Sequence, residues 1–227
     1  MNKIFDEYGI KARLFPALLC SLPFIAIKHY IVNHYIPEDV TRQFLAVAFE
    51  DISLTVVSTY LLAQVSRFVA KALFEKKKEF PTVLMLLPSS TLMSAEYRKK
   101  IGDKVTADFQ LTLPDHADET QNIDNTKTRI SEIVQLIINK VGPGKLLLQH
   151  NIEYGFMRNL IGGSLVCMFI SIAAAVFLKV HLAEQTGFIV ASSLTVIYLI
   201  PLLFSKPILR HYSNAYAPVL FREYAGI

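Results

Sequence analysis

The stretch LIGGSLVCMFISIAAAVFL at residues 160–178 decides the fold class, because it runs for nineteen residues without a charged side chain. About 20 consecutive, mostly apolar helical residues cross the ~30 Å hydrocarbon core of a bilayer. The stretch GFIVASSLTVIYLIPLLF at residues 187–204 adds eighteen uncharged residues after the short polar segment 179–186. The two stretches predict a hairpin of two transmembrane helices.

The composition of the whole chain points to the same class. Of its 227 residues, 52% are hydrophobic and 19% are charged, whereas soluble domains average about 45–50% and about 25%. This excludes a disordered chain, a collagen-like chain and a disulfide-rich secreted module. The two cysteines, Cys20 and Cys167, lie in apolar stretches and lack the spacing of metal ligands. They are therefore interpreted as small hydrophobic residues.

The N-terminal half predicts a second transmembrane hairpin, with spans at about 14–34 and 44–66. The first span is long enough if Lys28 extends its side chain toward the lipid headgroups. The second span contains two carboxylates, Glu50 and Asp51. A pair of buried helices in a soluble domain is the alternative for this half of the chain.

Basic residues are distributed unevenly around the predicted spans. One side has only three, namely Lys28, Arg42 and Lys179. The other side has Lys3, Lys11, Arg13, Arg67, Lys71, Lys76, Lys77, Lys78, Arg158, Lys206, Arg210 and Arg222. Because cytoplasmic loops carry an excess of Lys and Arg, both termini and the central segment are expected in the cytoplasm. The net charge of +4 is thus mostly a signature of topology.

The predicted fold is an α-helical integral membrane protein with four transmembrane helices in two hairpins, which flank a small and mainly helical cytoplasmic domain. The expected divisions are a cytoplasmic N-terminal tail at 1–13, a first hairpin at 14–70, the cytoplasmic domain at 71–159, a second hairpin at 160–204, and a cytoplasmic C-terminal tail at 205–227.

Three segments within the central domain have sequence patterns that predict their local structure. Ser94 is a candidate N-cap for a helix that extends to Val105. Apolar residues recur at helical spacing within 128–141, and that helix is expected to stop at Gly142. The acidic, turn-rich segment 112–126 is predicted to be a mobile loop.

A polar stripe is predicted on the second span. Asp51, Thr55 and Ser58 share one helical face, with Glu50 at its edge. Carboxylates in a span usually face protein or water. One hypothesis is a polar pathway or a proton-responsive site within a bundle, and the alternatives are a stripe of interhelical hydrogen bonds or a misplaced helix boundary.

Small residues repeat every fourth position along the third span, at Gly163, Cys167, Ser171 and Ala175. Gly187, Ala191 and Thr195 do the same on the fourth. Small side chains let helix backbones approach closely in lipid. The ladder is expected to pack the two helices of the hairpin together, or alternatively to form the face of a homo-oligomer.

A dense motif enters the third span, with the sequence Asn151-x-x-Tyr154-Gly155-Phe156-x-Arg158-Asn159. Aromatic side chains suit the membrane interface, and Arg158 can pair with lipid phosphates. Interfacial anchoring and a coupling joint between the cytoplasmic domain and the membrane helices are the two interpretations.

No catalytic pattern is present in the sequence. The chain lacks G-x-S-x-G, H-E-x-x-H and a phosphate-binding G-x-x-x-x-G-K-[ST]. We therefore expect a protein that is not an enzyme, with no catalytic, cofactor-binding or metal-binding residues.

Pro81-Thr82 and the motif from Asn151 to Asn159 resemble a family of small bacterial inner-membrane proteins encoded beside defence genes, although Met157 stands where an arginine is expected. The plan of the whole chain most resembles the transmembrane effector of a retron antiphage system. The resemblance implies an effector, or toxin, in the bacterial cell inner membrane that is inhibited by a reverse transcriptase with its non-coding RNA and DNA. Its release would damage or depolarise the membrane, so that the infected cell dies before the phage matures. This outcome is called abortive infection. The resemblance implies no catalytic residues.

Two other functions remain possible from the residues alone. The first is a non-enzymatic membrane scaffold or receptor whose cytoplasmic domain recruits soluble partners. The second is a small transporter that uses the polar stripe, although the inverted repeats of many transporters are not found. Membrane lipid and further copies of the chain are the expected partners. Direct binding of nucleic acid is not expected, since the basic residues cluster at the membrane edge and do not alternate with aromatics.

Overall fold

The computed structural model describes residues 6–35, 52–74, 79–142 and 144–226, and within them every element of regular structure is a helix. We number the helices of this part of the chain in order. They are α1 (Glu7–Tyr35), α2 (Ile52–Phe74), α3 (Pro81–Met85), α4 (Ala95–Phe109), α5 (His116–Gln121), α6 (Ile123–Val141), α7 (Lys145–Phe177), α8 (Gln185–Leu203) and α9 (Ser205–Ala225).

Three of the described helices are long and apolar enough to cross a membrane. The first is α1, with 29 residues, and the third is α8, with 19 residues. The second is the continuous stretch Leu147–Leu182, which consists of most of α7 and a π-helical turn, Leu178–Leu182, that extends it. Many of their large apolar side chains are exposed, for example Phe169, Val176 and Val180 on α7 and its extension. In a bilayer these side chains would contact lipid. The predicted second span at about 44–66 lies partly outside the described residues, so a fourth span is not confirmed.

The chain divides into two compact units. The bundle unit is the described part of residues 1–75 together with 152–209, and the insert unit is the described part of 76–151 together with 210–227. Residues 210–226 therefore belong to the same compact unit as the central segment, whereas a separate C-terminal tail was predicted from the sequence.

The core of the insert unit explains why the end of the chain belongs to it. Ala217, Leu220, Phe221 and Tyr224 lie on one face of α9 at helical spacing, and all are buried. They share one hydrophobic cluster with the buried residues of α4 and α6, including Ile101, Val105, Ile130, Ile133, Val134 and Ile137. The unit is thus closed by a helix that is distant in sequence from its other members.

Helix boundaries in the insert unit follow from side-chain caps. The Oγ of Ser94 accepts a hydrogen bond from the backbone N–H of Tyr97 at 3.2 Å, which confirms the predicted N-cap. Helix α6 ends at Gly142, as predicted, where φ is +68°. This left-handed conformation favours glycine, because other residues meet a steric penalty there.

The prediction of a loop throughout 112–126 is wrong, because the segment contains α5 and the start of α6. Three of the polar side chains in this segment are helix caps. Asp115 and Asp118 form a reciprocal capping box at the start of α5, and Asn122 accepts a hydrogen bond from the N–H of Asn125. The carboxylate of Glu119 also accepts hydrogen bonds from the N–H and the hydroxyl of Ser89.

Candidate functional site

The strongest candidate site in the bundle unit is a break in α1 next to Pro23. Cys20 and Ser21 form a turn between two helical segments of α1. Pro23 has no N–H with which to bond the carbonyl of Leu19, four residues earlier. The N–H of Phe24 donates to the carbonyl of Ser21 at 3.0 Å. The carbonyls of Leu19 and Cys20 are therefore released from the helical ladder.

Two other helices supply hydrogen-bond donors to these released carbonyls. The hydroxyl of Tyr198 on α8 donates to the carbonyl of Leu19 at 2.6 Å. The thiol of Cys167 on α7 donates to the carbonyl of Cys20 at 3.0 Å. An unsatisfied carbonyl in hydrocarbon costs several kcal/mol, so these two donors stabilise the break. We call Leu19, Cys20, Cys167 and Tyr198 the bundle node.

Two consecutive glycines on α7 allow α1 and α2 to approach beside the bundle node. A Cβ atom on Gly163 would collide with the Sγ of Cys20 and would lie 2.8 Å from the Oγ of Ser66. A Cβ atom on Gly162 would collide with the backbone carbonyl of Ser66. Both positions thus require glycine for close packing. The Oγ of Ser66 is buried and has no hydrogen-bond partner.

The small-residue ladder of α7 lies inside the bundle unit. Cys167, Ser171 and Ala175 are buried, and so is Gly163. Its neighbours are α1 and α8, because Cys167 shares one buried cluster with Cys20 and Tyr198, and Ala175 shares another with Ala191 and Ile27. The predicted contact between the two helices of the hairpin is therefore present, and α1 is an additional neighbour. The hydrogen bonds from Asn159 to Ala12 and from Cys167 to Cys20 both join positions 147 residues apart. Helices α1 and α7 therefore run parallel and in constant register.

Helix α8 packs on α1 in the opposite direction. Tyr198 contacts Leu19, and Gly187 contacts Tyr30, so increasing residue numbers on one helix match decreasing numbers on the other. A Cβ atom on Gly187 would lie 2.8 Å from the Cγ of Tyr30. Ala191 is buried in the cluster that contains Tyr30, and Thr195 donates its hydroxyl to the carbonyl of Ala191. Gly187 and Ala191 of this row therefore face α1, and Ala191 shares its cluster with Ala175 of α7 as well.

The residues of the predicted junction motif do not form one site, because they lie in different surroundings. Asn151 is exposed and belongs to the insert unit, whereas the rest of the motif belongs to the bundle unit. The guanidinium of Arg158 lies over the ring of Tyr154 at 5.6 Å, in a cation–π contact. Phe156 is half-buried.

Gly155 and Asn159 of the same motif face α1. A Cβ atom on Gly155 would lie 2.8 Å from the hydroxyl oxygen of Tyr8. The Nδ2 of Asn159 donates to the carbonyl of Ala12 at 2.6 Å, and this side chain is buried. These residues therefore continue the close contact between α1 and α7 toward the start of both helices.

The predicted polar stripe begins at two carboxylates, Glu50 and Asp51. Glu50 and Asp51 lie outside the described residues. Thr55 and Ser58 lie on α2, whose backbone is described there. The proposed polar pathway at these residues stays a prediction.

Burial shifts the pKa of three ionisable groups in the insert unit, Arg98, Tyr216 and Tyr224. Burial, with a smaller contribution from the nearby Glu223 carboxylate, raises the pKa of Tyr216 to about 12. Burial also raises the pKa of Tyr224, and the Asp108 carboxylate acts in the same direction. For Arg98, burial lowers the pKa and the Glu119 carboxylate opposes that shift. None of these three shifts prepares a group for proton transfer near pH 7.

An open cleft of about 420 Å³ lies beside α4 in the insert unit, with Arg98, Thr106, Leu113 and His116 among its lining residues. The guanidinium of Arg98 already donates to the carbonyls of Leu86 and Pro114, both at 2.8 Å. It is thus used in holding the loop around α5. Among the described residues no group of three or more His, Cys, Asp or Glu side chains could hold a metal ion.

The bundle node was only partly accessible from the sequence. Pro23 signals a break in a helix, and small residues signal close packing, but neither identifies the partner of a released carbonyl. Tyr198 was missed for this reason. Comparison of the chain with protein-family models, curated proteins and solved structures finds no match in any of the three.

Proposed function

We propose that this chain is a non-enzymatic effector of an antiviral, antiphage defence system in the bacterial inner membrane, similar to a retron effector. In this proposal a reverse transcriptase with its non-coding RNA and DNA inhibits the chain. Phage infection releases it, and the released chain depolarises or damages the membrane, so that the infected cell dies. The resemblance of the sequence motifs supports this proposal, together with the three helices that could span a membrane.

The observation that carries the membrane-damage mechanism is a row of buried polar groups without partners. The hydroxyls of Ser164 and Ser171 on α7, the hydroxyl of Ser66 on α2 and the Oδ1 of Asn159 are buried and make no hydrogen bond. From Asn159 to Ser171 this row extends ~18 Å at a helical rise of ~1.5 Å per residue. That is more than half of the ~30 Å hydrocarbon thickness.

The closed bundle would keep this row from water and ions. Apolar side chains cover the outside of the helices, while the polar groups face inward. If release of the inhibitor separates α7 from its neighbours, the row would line a polar path across much of the bilayer. Water entering that path would satisfy the free hydroxyls and the amide oxygen, which lowers the cost of the open state.

The proposal is tested by inducing the chain in bacteria that lack the inhibitor, with a potential-sensitive dye and colony counts as readouts. Rapid depolarisation before the loss of viability is expected. Polarised and viable cells with a normal amount of inserted chain would contradict the effector function. The double variant Ser164→Ala with Ser171→Ala removes two hydroxyls and should slow depolarisation several-fold.

A matched control for that variant is Ser193→Ala on α8, because Ser193 is exposed on the outside of the bundle unit. It loses the same hydroxyl group but should depolarise like the parent chain. Equal depolarisation by the double variant and by the control, at equal membrane levels, would show that the polar row is not the conducting path.

We also propose that the chain acts as a homo-oligomer through the outer face of α7. Phe169, Ile172 and Val176 are exposed at helical spacing on that face, and all three are at least 41% exposed. The small-residue ladder is already covered by α1 and α8 of the same chain. A leucine at Gly163 would therefore disturb the single chain, whereas changes at Phe169 and Val176 address the contact between chains. Crosslinking in membranes should give oligomers, and replacing both residues by alanine should reduce them.

The second candidate is a membrane scaffold or receptor whose cytoplasmic domain recruits soluble partners. The independent hydrophobic core of the insert unit favours it, since such a unit can present a stable surface. A scaffold should capture its partners while the membrane potential stays intact. The full chain is needed for that capture experiment, because residues 71–159 alone would lack the core residues of α9.

A further inference from the structure

The two cysteines of the chain lie in one buried cluster, although 147 positions separate them. The Sγ of Cys167 lies 3.0 Å from the carbonyl oxygen of Cys20, in the same buried cluster as the Cys20 side chain. Both residues are fully buried. Since the chain contains two cysteines in all, any disulfide within one chain must join this pair.

The surrounding helices hold these thiols at the same depth in the bundle. Helices α1 and α7 run parallel with a constant offset of 147 residues at two separate hydrogen bonds, one of which is made by this pair. The glycine at position 163 leaves room for the Sγ of Cys20 against α7. The break next to Pro23 lies at the same level of α1.

We propose that Cys20 and Cys167 are a redox modification site, at which a disulfide bond ties α1 to α7 beside the helix break. In this reaction both S–H bonds break and one S–S bond forms. The two protons and two electrons pass to a membrane-soluble quinone, which becomes the hydroquinone. A quinone suits the site because it dissolves in hydrocarbon, and the two thiols lie on helices that are long and apolar enough to cross a membrane.

The consequence is a covalent limit on the separation of α1 and α7. The reduced pair contributes one weak S–H hydrogen bond to a backbone carbonyl, which the helices can break when they part. The disulfide cannot break in that way, because its S–S bond of about 2.0 Å is covalent. The inference does not depend on the proposed defence function, because thiol chemistry can be measured without any measurement of toxicity.

The test uses membranes that contain the full chain and a fully substituted benzoquinone, which cannot add to thiols. After oxidation the chain is denatured and labelled with a polyethylene-glycol maleimide, and the number of adducts is read from a gel. The expected change is from two adducts to none, on a band that stays monomeric and recovers both adducts after dithiothreitol. The variants Cys20→Ser and Cys167→Ser should keep their single adduct.

The matched control moves one thiol to the outside of the same helix. The variant Cys167→Ala with Phe169→Cys still has two thiols, but position 169 is exposed on α7. It should keep both adducts under the same treatment. The proposal is overturned if the parent chain keeps two adducts in membranes while the denatured chain loses them. It is also overturned if the disulfide joins two chains, or if the control loses its adducts equally.

Discussion

The bundle unit and the insert unit differ in the side chains that they bury and in the groups that bond their free backbone atoms. The insert unit buries large side chains such as Ile130, Ile137 and Phe221, and its helix ends are capped by polar side chains of neighbouring turns. The bundle unit packs small residues, and the carbonyls at its helix break are satisfied by donors from α7 and α8. Burial of apolar surface stabilises helices in water, whereas close packing and interhelical hydrogen bonds act in lipid.

The largest expected effect is in the insert unit, at Phe221. This side chain is fully buried in the core, and its replacement by alanine should leave a cavity. The free energy of unfolding should fall by about 3–5 kcal/mol, which thermal or denaturant unfolding of the purified chain measures. Leu92→Ala is the control, because Leu92 is 62% exposed. An effect of Phe221→Ala as small as that of the control would show that α9 does not belong to this core.

Two helical glycines provide a direct contrast between the units. A Cβ atom at Gly162 would collide with the backbone carbonyl of Ser66, whereas a Cβ atom at Gly102 would lie 3.3 Å from a flexible methyl group of Leu113. Gly162→Ala should destabilise the bundle by about 1–3 kcal/mol. Gly102→Ala should be neutral or stabilising, since alanine favours a helix by about 1 kcal/mol.

The measurement for this pair is thermal unfolding in detergent, with each variant compared with the parent chain. The predicted difference between the units would be wrong if Gly162→Ala lowers the unfolding temperature no more than Gly102→Ala does. In that case the backbones of α2 and α7 would not be in close contact.

The hydrogen bond from Tyr198 to Leu19 is expected to stabilise the helix break of the bundle unit. Tyr198→Phe leaves the carbonyl of Leu19 without its donor and should cost about 1–3 kcal/mol. Pro23→Ala restores an N–H that can bond the same carbonyl. In a double-mutant cycle, the cost of Tyr198→Phe should therefore be smaller in the Pro23→Ala background. Equal costs in both backgrounds would contradict the role assigned to the tyrosine.

The smallest predicted effect is a pH dependence in the insert unit. Tyr216 has its pKa raised to about 12 in the folded chain, compared with about 10 when unfolded. The unfolded chain then releases the proton more easily, so this contribution to stability is complete below pH ~10 and is lost as the pH rises toward ~12. Tyr216→Phe should reduce the loss of stability across that range. An unchanged slope in alkaline unfolding curves would exclude Tyr216 as its source.

The reliable predictions came from local patterns. The long apolar stretches correctly predicted helices that could span a membrane, and Ser94 and Gly142 marked helix ends. The segment 112–126 was misassigned because Asp and Asn side chains favour both loops and helix caps. Composition alone does not distinguish these roles, since the backbone donor that the side chain caps decides between them.

The sequence by itself determined that the chain is helical and rich in apolar helices, because hydrophobic periodicity and run length are local properties. Only the tertiary structure decided that α9 completes the insert unit, that α1 lies along the ladder of α7, and that Tyr198 and Cys167 satisfy the break beside Pro23. These are contacts between residues far apart in the chain. A small side chain can pack against many different helices, and a released carbonyl can bond many different donors. Which helix and which donor are used depends on their positions in the folded bundle.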